Sequence, residues 1–379
     1  MKIKNLFIGG IVIGLLSFAI SLSINPSRAW HGYLMNYYFF AMIGIGGTFF
    51  SATQYLTNAG WSATVRRIPE SLSSWFLPSL VLFIPLVIAG KSIFLWMNTG
   101  TMGSDPVLQG KIPYLNLPFF IIRALGFFAV WYFLGNQIVR NSLKQDTEGG
   151  TELTSKNVKL SAIFIPLFAI FFSTLSFDLI MSLDPHWFST MFGVNCFANL
   201  FLVTIAVSIV IVIHMKKNGY FGESVNENHI QNLGLLLFAF TIFYAYIAFC
   251  QYMLIWYANL PEETSYYLRR WENGWCVYAL FIIGFKFIVP FLLLLPREAK
   301  RNMSYLLKMA YWVIFVNFID MFWMVMPTYS TQAITPFLEF GIFLGFGGAF
   351  GLTVRNFLLN HPVQPQKDPR VEEALHLHQ

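Results

Sequence analysis

The sequence predicts an all-α integral membrane protein with about ten transmembrane helices. Three observations carry that prediction. Of the 379 residues, 56% are hydrophobic and only 11% are charged, too few to clothe a soluble surface. Apolar runs of about 18 or more residues recur, each long enough to cross a hydrocarbon core of about 30 Å. No run alternates with a period of two, which excludes a barrel and leaves a helical bundle.

The runs fall at roughly 4–24, 34–58, 74–97, 117–139, 159–182, 189–214, 231–258, 274–295, 303–326 and 335–359. The first follows Met1-Lys2-Ile3-Lys4. It is longer than a signal-peptide core and lacks a small-residue cleavage site, so it reads as a retained helix. The connection WSATVRRIPESLSSW, 61–75, reads as an amphipathic cytoplasmic link with a basic pair. KQDTEGGTELTSKN, 144–157, is polar and glycine-containing and reads as a mobile loop. GFGGAFG, 345–351, places small residues on the last helix, where a neighbouring helix can approach closely. It follows no strand and is not a nucleotide loop. Residues 1–360 thus form one polytopic domain. Residues 361–379 carry three prolines and no apolar period, and read as an extended cytoplasmic tail, either disordered or docked on a neighbouring subunit.

Orientation follows from the lysines and arginines. With the N-terminus in the cytoplasm, the basic residues gather on the inner connections, for example Arg66, Arg67, Lys216, Lys217, Lys300 and Arg301. Only Arg28, Lys91, Lys111, Arg269 and Arg270 fall outside. The positive-inside rule then places both termini in the cytoplasm. The net charge of +6 reflects that bias and does not point to nucleic acid.

Several chemistries lack their residues. Haem within a bundle needs axial ligands at membrane depth. The seven histidines (31, 186, 214, 229, 361, 376 and 378) avoid mid-span positions, and His376 and His378 alone make no metal site. Cys196, Cys250 and Cys276 stand apart and form no cluster motif, so they read as buried apolar residues. No phosphate-binding loop is present. No metal site is expected on this chain.

Ionisable groups inside spans cost roughly 2.5–3.5 kcal/mol each at a helix centre, so they mark candidate sites. Arg123, Asp178, Lys286, Asp320 and Glu339 fall within the runs, and Asp184 and His186 at their edge. On a rise of about 1.5 Å per residue, all but Lys286 lie in the outer half. The expectation is an outward-facing polar cavity with SFDLIMSLDPHWFST, 176–190, at its mouth. These seven residues are the proton-path candidates. Asp178, His186, Gln251 and Tyr252 are the quinone-binding candidates, since flat aromatic and amide groups beside carboxylates suit a quinone ring, although they suit a water-filled proton route equally well. Simpler roles stand beside these. Arg123 and Asp178 could fix two helices as a pair. Asp184-Pro185 could cap the next helix. His186 could sit at headgroup level, Lys286 could pair with an acid on an adjacent helix, and Glu339 could face headgroups. Trp256 and Tyr257 fit an interfacial aromatic belt.

SFDLIMSLDPHWFSTMFG and FCQYMLIWYANLPEETSYYLRRWENGW resemble the polysulfide-reductase-type (NrfD-like) membrane subunits of bacterial alternative complex III, a quinol:cytochrome c or quinol:oxidase oxidoreductase. RAWHGYLMNYYFFAMIGIGGTFFSATQYLTNAGWSATVRRIPE, 28–70, is similar to the second of its two paralogous subunits, and the tail KDPRVEEAL fits as well. The resemblance covers nearly the whole chain. It implies two four-helix bundles with peripheral helices. It also implies partners: a paralogous quinol-binding subunit, an iron–sulfur subunit, multihaem and monohaem cytochrome c subunits, and a terminal oxidase in some assemblies. Haem c and iron–sulfur clusters would then sit on partners, and quinone or menaquinone in the membrane. One departure is visible. The quinol-binding paralogue is expected to carry a histidine in an early helix, where this chain reads Gly44-Ile45-Gly46-Gly47-Thr48. Three roles remain open: an energy-coupling subunit moving protons, a quinol-binding catalytic subunit, or a scaffold.

Overall fold

The computed structural model describes residues 2–98, 100 and 105–377, the side chain of Lys2 excepted. His378 lies outside the described residues. Among them there is no strand. Eleven helices are numbered here: α1 Lys2–Ile24, α2 Pro26–Leu56, α3 Arg67–Ile88, α4 Leu117–Glu148, α5 Glu152–Leu183, α6 Phe192–Lys217, α7 Glu227–Ala258, α8 Pro261–Trp271, α9 Cys276–Leu294, α10 Met303–Tyr329 and α11 Phe337–Asn360.

Among the described residues, nine helices are long and apolar enough to cross a membrane. The tenth expected span is α2, which falls short because tyrosine, glycine, serine and asparagine dilute its apolar residues. Its position explains that composition. Of its 31 residues 25 are buried, so it needs little lipid-facing surface. It packs against α1, α3, α5, α6, α10 and α11. The windows of α6 and α10 are 78% and 72% buried, that of α1 only 11%, so polar side chains on the first two face protein.

The long helices run alternately between two ends of the bundle. The end holding the starts of α1, α3, α5, α7 and α10 is called the tail face, the other the loop face. Small residues set the fit of α1 on α11. A Cβ on Gly14 would come within 2.3 Å of Gly345 Cα, so the backbones nearly touch there. The close neighbour expected beside GFGGAFG is therefore the first helix.

Three expectations change. The link 61–75 is not a solvated amphipathic face: Arg66, Arg67 and Glu70 are at most 1% exposed and open α3. The stretch 144–157 is helical up to Glu148 and again from Glu152, leaving a tight turn at Gly149 and Gly150, both at positive φ. The tail does not project. It lies on the tail face of its own chain and ends in a helical turn, Val371–Leu375. Asp368 pairs with Arg66 and with Arg370, Gln366 N–H donates to Asp146, and Leu377 C=O accepts from Asn226 and Asn228.

Candidate functional site

Four helices converge on Lys286. It sits on a π-helical segment, Ile283–Ile288, that interrupts α9 near its middle. Such segments carry one extra residue per turn, re-aim side chains and recur at functional sites. Lys286 Nζ lies 2.5 Å from Asp320 Oδ2 on α10. It also donates to Asn199 Oδ1 on α6. Tyr244 of α7 donates its hydroxyl to the same Asp320 oxygen, at 3.2 Å. Its ring lies under the ammonium, with Nζ 3.6 Å from the centroid. Lys286 and Asp320 are 1% and 2% exposed. Asp320 lies nine residues from the end of α10, about 14 Å from it. It is therefore deeper than the sequence suggested, because α10 continues past Met326 to Tyr329.

The other candidates sit nearer the loop face and form separate groups. Arg123 Nε and Nη2 grip both oxygens of Asp178, at 2.6 and 2.9 Å, and Arg123 Nη1 donates to Tyr114 C=O. Rings of Tyr114 and Phe119 cover its guanidinium. The pair joins α4 to α5. Glu339, fully buried at the start of α11, is held by Arg28 of α2 at 2.8 and 3.0 Å and does not face headgroups. Asp184 caps no following helix: α6 begins at Phe192, and Asp184 accepts from Arg269 Nη1 at 2.8 Å. His186 is half exposed, with Nε2 2.6 Å from Asp105 Oδ2. That hydrogen bond holds the Asp105 carboxyl below the usual carboxylate range.

The quinone candidates do not come together. Gln251 is buried on α7 and faces the Tyr267 hydroxyl. Tyr252 is 45% exposed on the flank of α7, with its ring edge-on to Tyr267. A cleft of about 300 Å³ opens at the loop face between Lys111, Tyr114, Phe177, Met181, Trp187 and Phe188. None of the four candidates lines it, and Asp178 is already gripped on both oxygens. The residues proposed for quinone thus do not fit one ring. Among the described residues no group of three or more metal-ligating side chains is found.

Sequence reasoning missed two features. On the tail face Arg66, Arg67 and Arg370 interlock with Glu70, Asp146 and Asp368, all buried. Burial pushes the Asp368 carboxyl up, but Arg66 and Arg370 outweigh it and hold it down at about 2. The signal was present as acids at 146 and 368, far from the basic pair in sequence. The second feature is α8, whose Tyr266 stacks on Trp187 at 4.0 Å and lies under the Arg270 guanidinium at 3.5 Å.

No protein-family model matches this chain, and no curated protein matches it.

Proposed function

We propose that this chain is the polytopic subunit of a bacterial quinol oxidoreductase of the alternative complex III type, and that its task is to couple electron transfer elsewhere in the complex to proton movement. The observation that carries the coupling role is the Lys286–Asp320 pair at mid-span. Ammonium with carboxylate, and amine with carboxylic acid, are two arrangements of one neutral pair. A proton can shift within such a pair without changing its net charge, and a proton taken up from one side returns the pair to neutrality when another leaves to the other side. Asn199 accepts from the lysine and Tyr244 donates to the aspartate, so both partners stay oriented through the exchange.

The resemblance of 28–70, 176–193 and 249–275 supports the choice of complex. The packing is compatible with two four-helix bundles, α2–α5 and α6, α7, α9 and α10, flanked by α1 and α11. In this reading the paralogous subunit oxidises quinol, and haem c and iron–sulfur clusters belong to partner subunits. The bundle lies in the plasma membrane with both termini cytoplasmic.

Affinity purification from native membranes tests the assignment. The expected result is co-purification with cytochrome c and iron–sulfur subunits and with quinol-oxidising activity. A chain recovered without redox partners, from membranes that retain that activity in another fraction, would overturn it.

A further inference from the structure

Two polar branches lead from the Lys286–Asp320 pair toward the loop face. The first runs through Cys196, whose thiol lies beside the hydroxyls of Tyr38 and Ser176. It closes on itself. Tyr38 and Ser176 hydroxyls meet at 2.7 Å, and Ser176 Oγ donates to Phe172 C=O. Two residues on, Asp178 is occupied by Arg123 on both oxygens.

The second branch stays open. Tyr244, hydrogen-bonded to Asp320, belongs to the same helix as Gln251, two turns nearer the loop face. Gln251 faces Tyr267, yet its Oε1 is buried with no protein hydrogen-bond partner. Beside Tyr267 on α8 is Arg270, 1% exposed, with Nη groups donating to Tyr266 C=O and Met324 C=O. Met324 lies one turn beyond Asp320 on α10. The Arg270 Nε is also buried and unpartnered, and no carboxylate pairs with Arg270 among the described residues. The residue before it on α8, Arg269, holds Asp184 at the loop face. An orphan acceptor and an orphan donor flanking one tyrosine are what ordered water satisfies, because buried polar groups rarely go unpaired.

We propose that the proton route between Asp320 and the loop face runs through Tyr244, Gln251, Tyr267 and Arg270 beneath α8, by way of bound water, and bypasses Asp178. The proposal rests on the coupling role of Lys286–Asp320. It makes α8, stapled down by Trp187–Tyr266 and Asp184–Arg269, the cap of that route.

The purified complex in nanodiscs is tested in two ways. Hydroxyl-radical labelling in ¹⁸O water compares two buried tyrosines of equal chemistry. Tyr266, whose ring lies against the Arg270 guanidinium at the end of the open branch, is expected to be labelled several-fold more than Tyr38, on the closed one. Equal labelling contradicts a water route under α8. Proton-to-electron ratios in vesicles are then compared for Gln251→Leu and Tyr38→Phe, with Tyr267→Phe as the second variant if Gln251→Leu does not assemble. Gln251→Leu should lower the ratio by half or more, and Tyr38→Phe should leave it unchanged. A wild-type ratio in both Gln251→Leu and Tyr267→Phe, or a fall in Tyr38→Phe, overturns the route. Lys286→Met separates the two levels. If it alone lowers the ratio, only the route fails; if it too is unchanged, the coupling role fails with it.

Discussion

Lys286 Nζ and Asp320 Oδ2 lie 2.5 Å apart, at the middle of α9 and about two-thirds of the way along α10, among side chains from α6 and α7. A buried ion pair is a poor way to gain stability, since desolvation offsets much of the attraction and apolar replacements are often neutral or better. Its presence at this depth therefore argues for chemistry.

The Arg123–Asp178 pair makes the opposite prediction. Asp178→Asn leaves Arg123 without its anion in a mostly buried setting, which costs about 3–5 kcal/mol. Assembly yield should fall, and Arg123→Gln added to Asp178→Asn should recover most of it. Full assembly of Asp178→Asn alone would show that the pair does not fix α4 on α5.

The tail should be held by charge. Asp368 has a folded value of about 2, below its ordinary 3.8, so its contribution is present above the ordinary value and is lost as pH falls through about 2. Pepsin should cut residues 361–377 increasingly as pH drops from 4 toward 2. At neutral pH, Asp368→Asn should cost about 3 kcal/mol of docking and speed tryptic cleavage after Lys367 and Arg370 many-fold. Unchanged cleavage would remove Asp368 from that role.

The contact of α1 with α11 should be intolerant of size. At Gly14 even a Cβ would press on Gly345 Cα, and Gly14→Val should cost about 1–3 kcal/mol through overpacking. Lower thermal stability of the purified chain checks this; a wild-type melting temperature would contradict the close approach.

Orientation is open to chemical labelling. Asn218 precedes α7 and Glu262 follows it, at opposite ends of a helix about 48 Å long. A membrane-impermeant thiol reagent on intact cells should modify Glu262→Cys and not Asn218→Cys, in a background lacking the native cysteines. The reverse pattern would invert the topology.

Much of this architecture was legible in the sequence because length and apolarity suffice for spans. Lys286 was legible because a mid-span lysine is costly. Its partner was harder: Asp320 lies 34 positions away, and Pro327 made α10 look shorter than it is. Arg66-Arg67 was misread because a basic pair beside serines looks like a solvated face. Only tertiary packing brings Asp146 and the tail's Asp368 to it. Gln251 was singled out as an amide beside aromatic rings and carboxylates, but the sequence could not show that α8 folds back over it. Asp184-Pro185 has the look of a helix start, yet α6 begins only at Phe192, after an irregular stretch that seats Trp187 against Tyr266.

The central claim is that Lys286 and Asp320 move protons, and the double variant Lys286→Met, Asp320→Leu tests it most directly. Removing both partners leaves no stranded charge, so the complex should assemble and oxidise quinol at near wild-type rates. Protons translocated per electron, measured in reconstituted vesicles, should fall to the value set by quinol chemistry alone. A fully assembled double variant with the wild-type ratio would contradict the account.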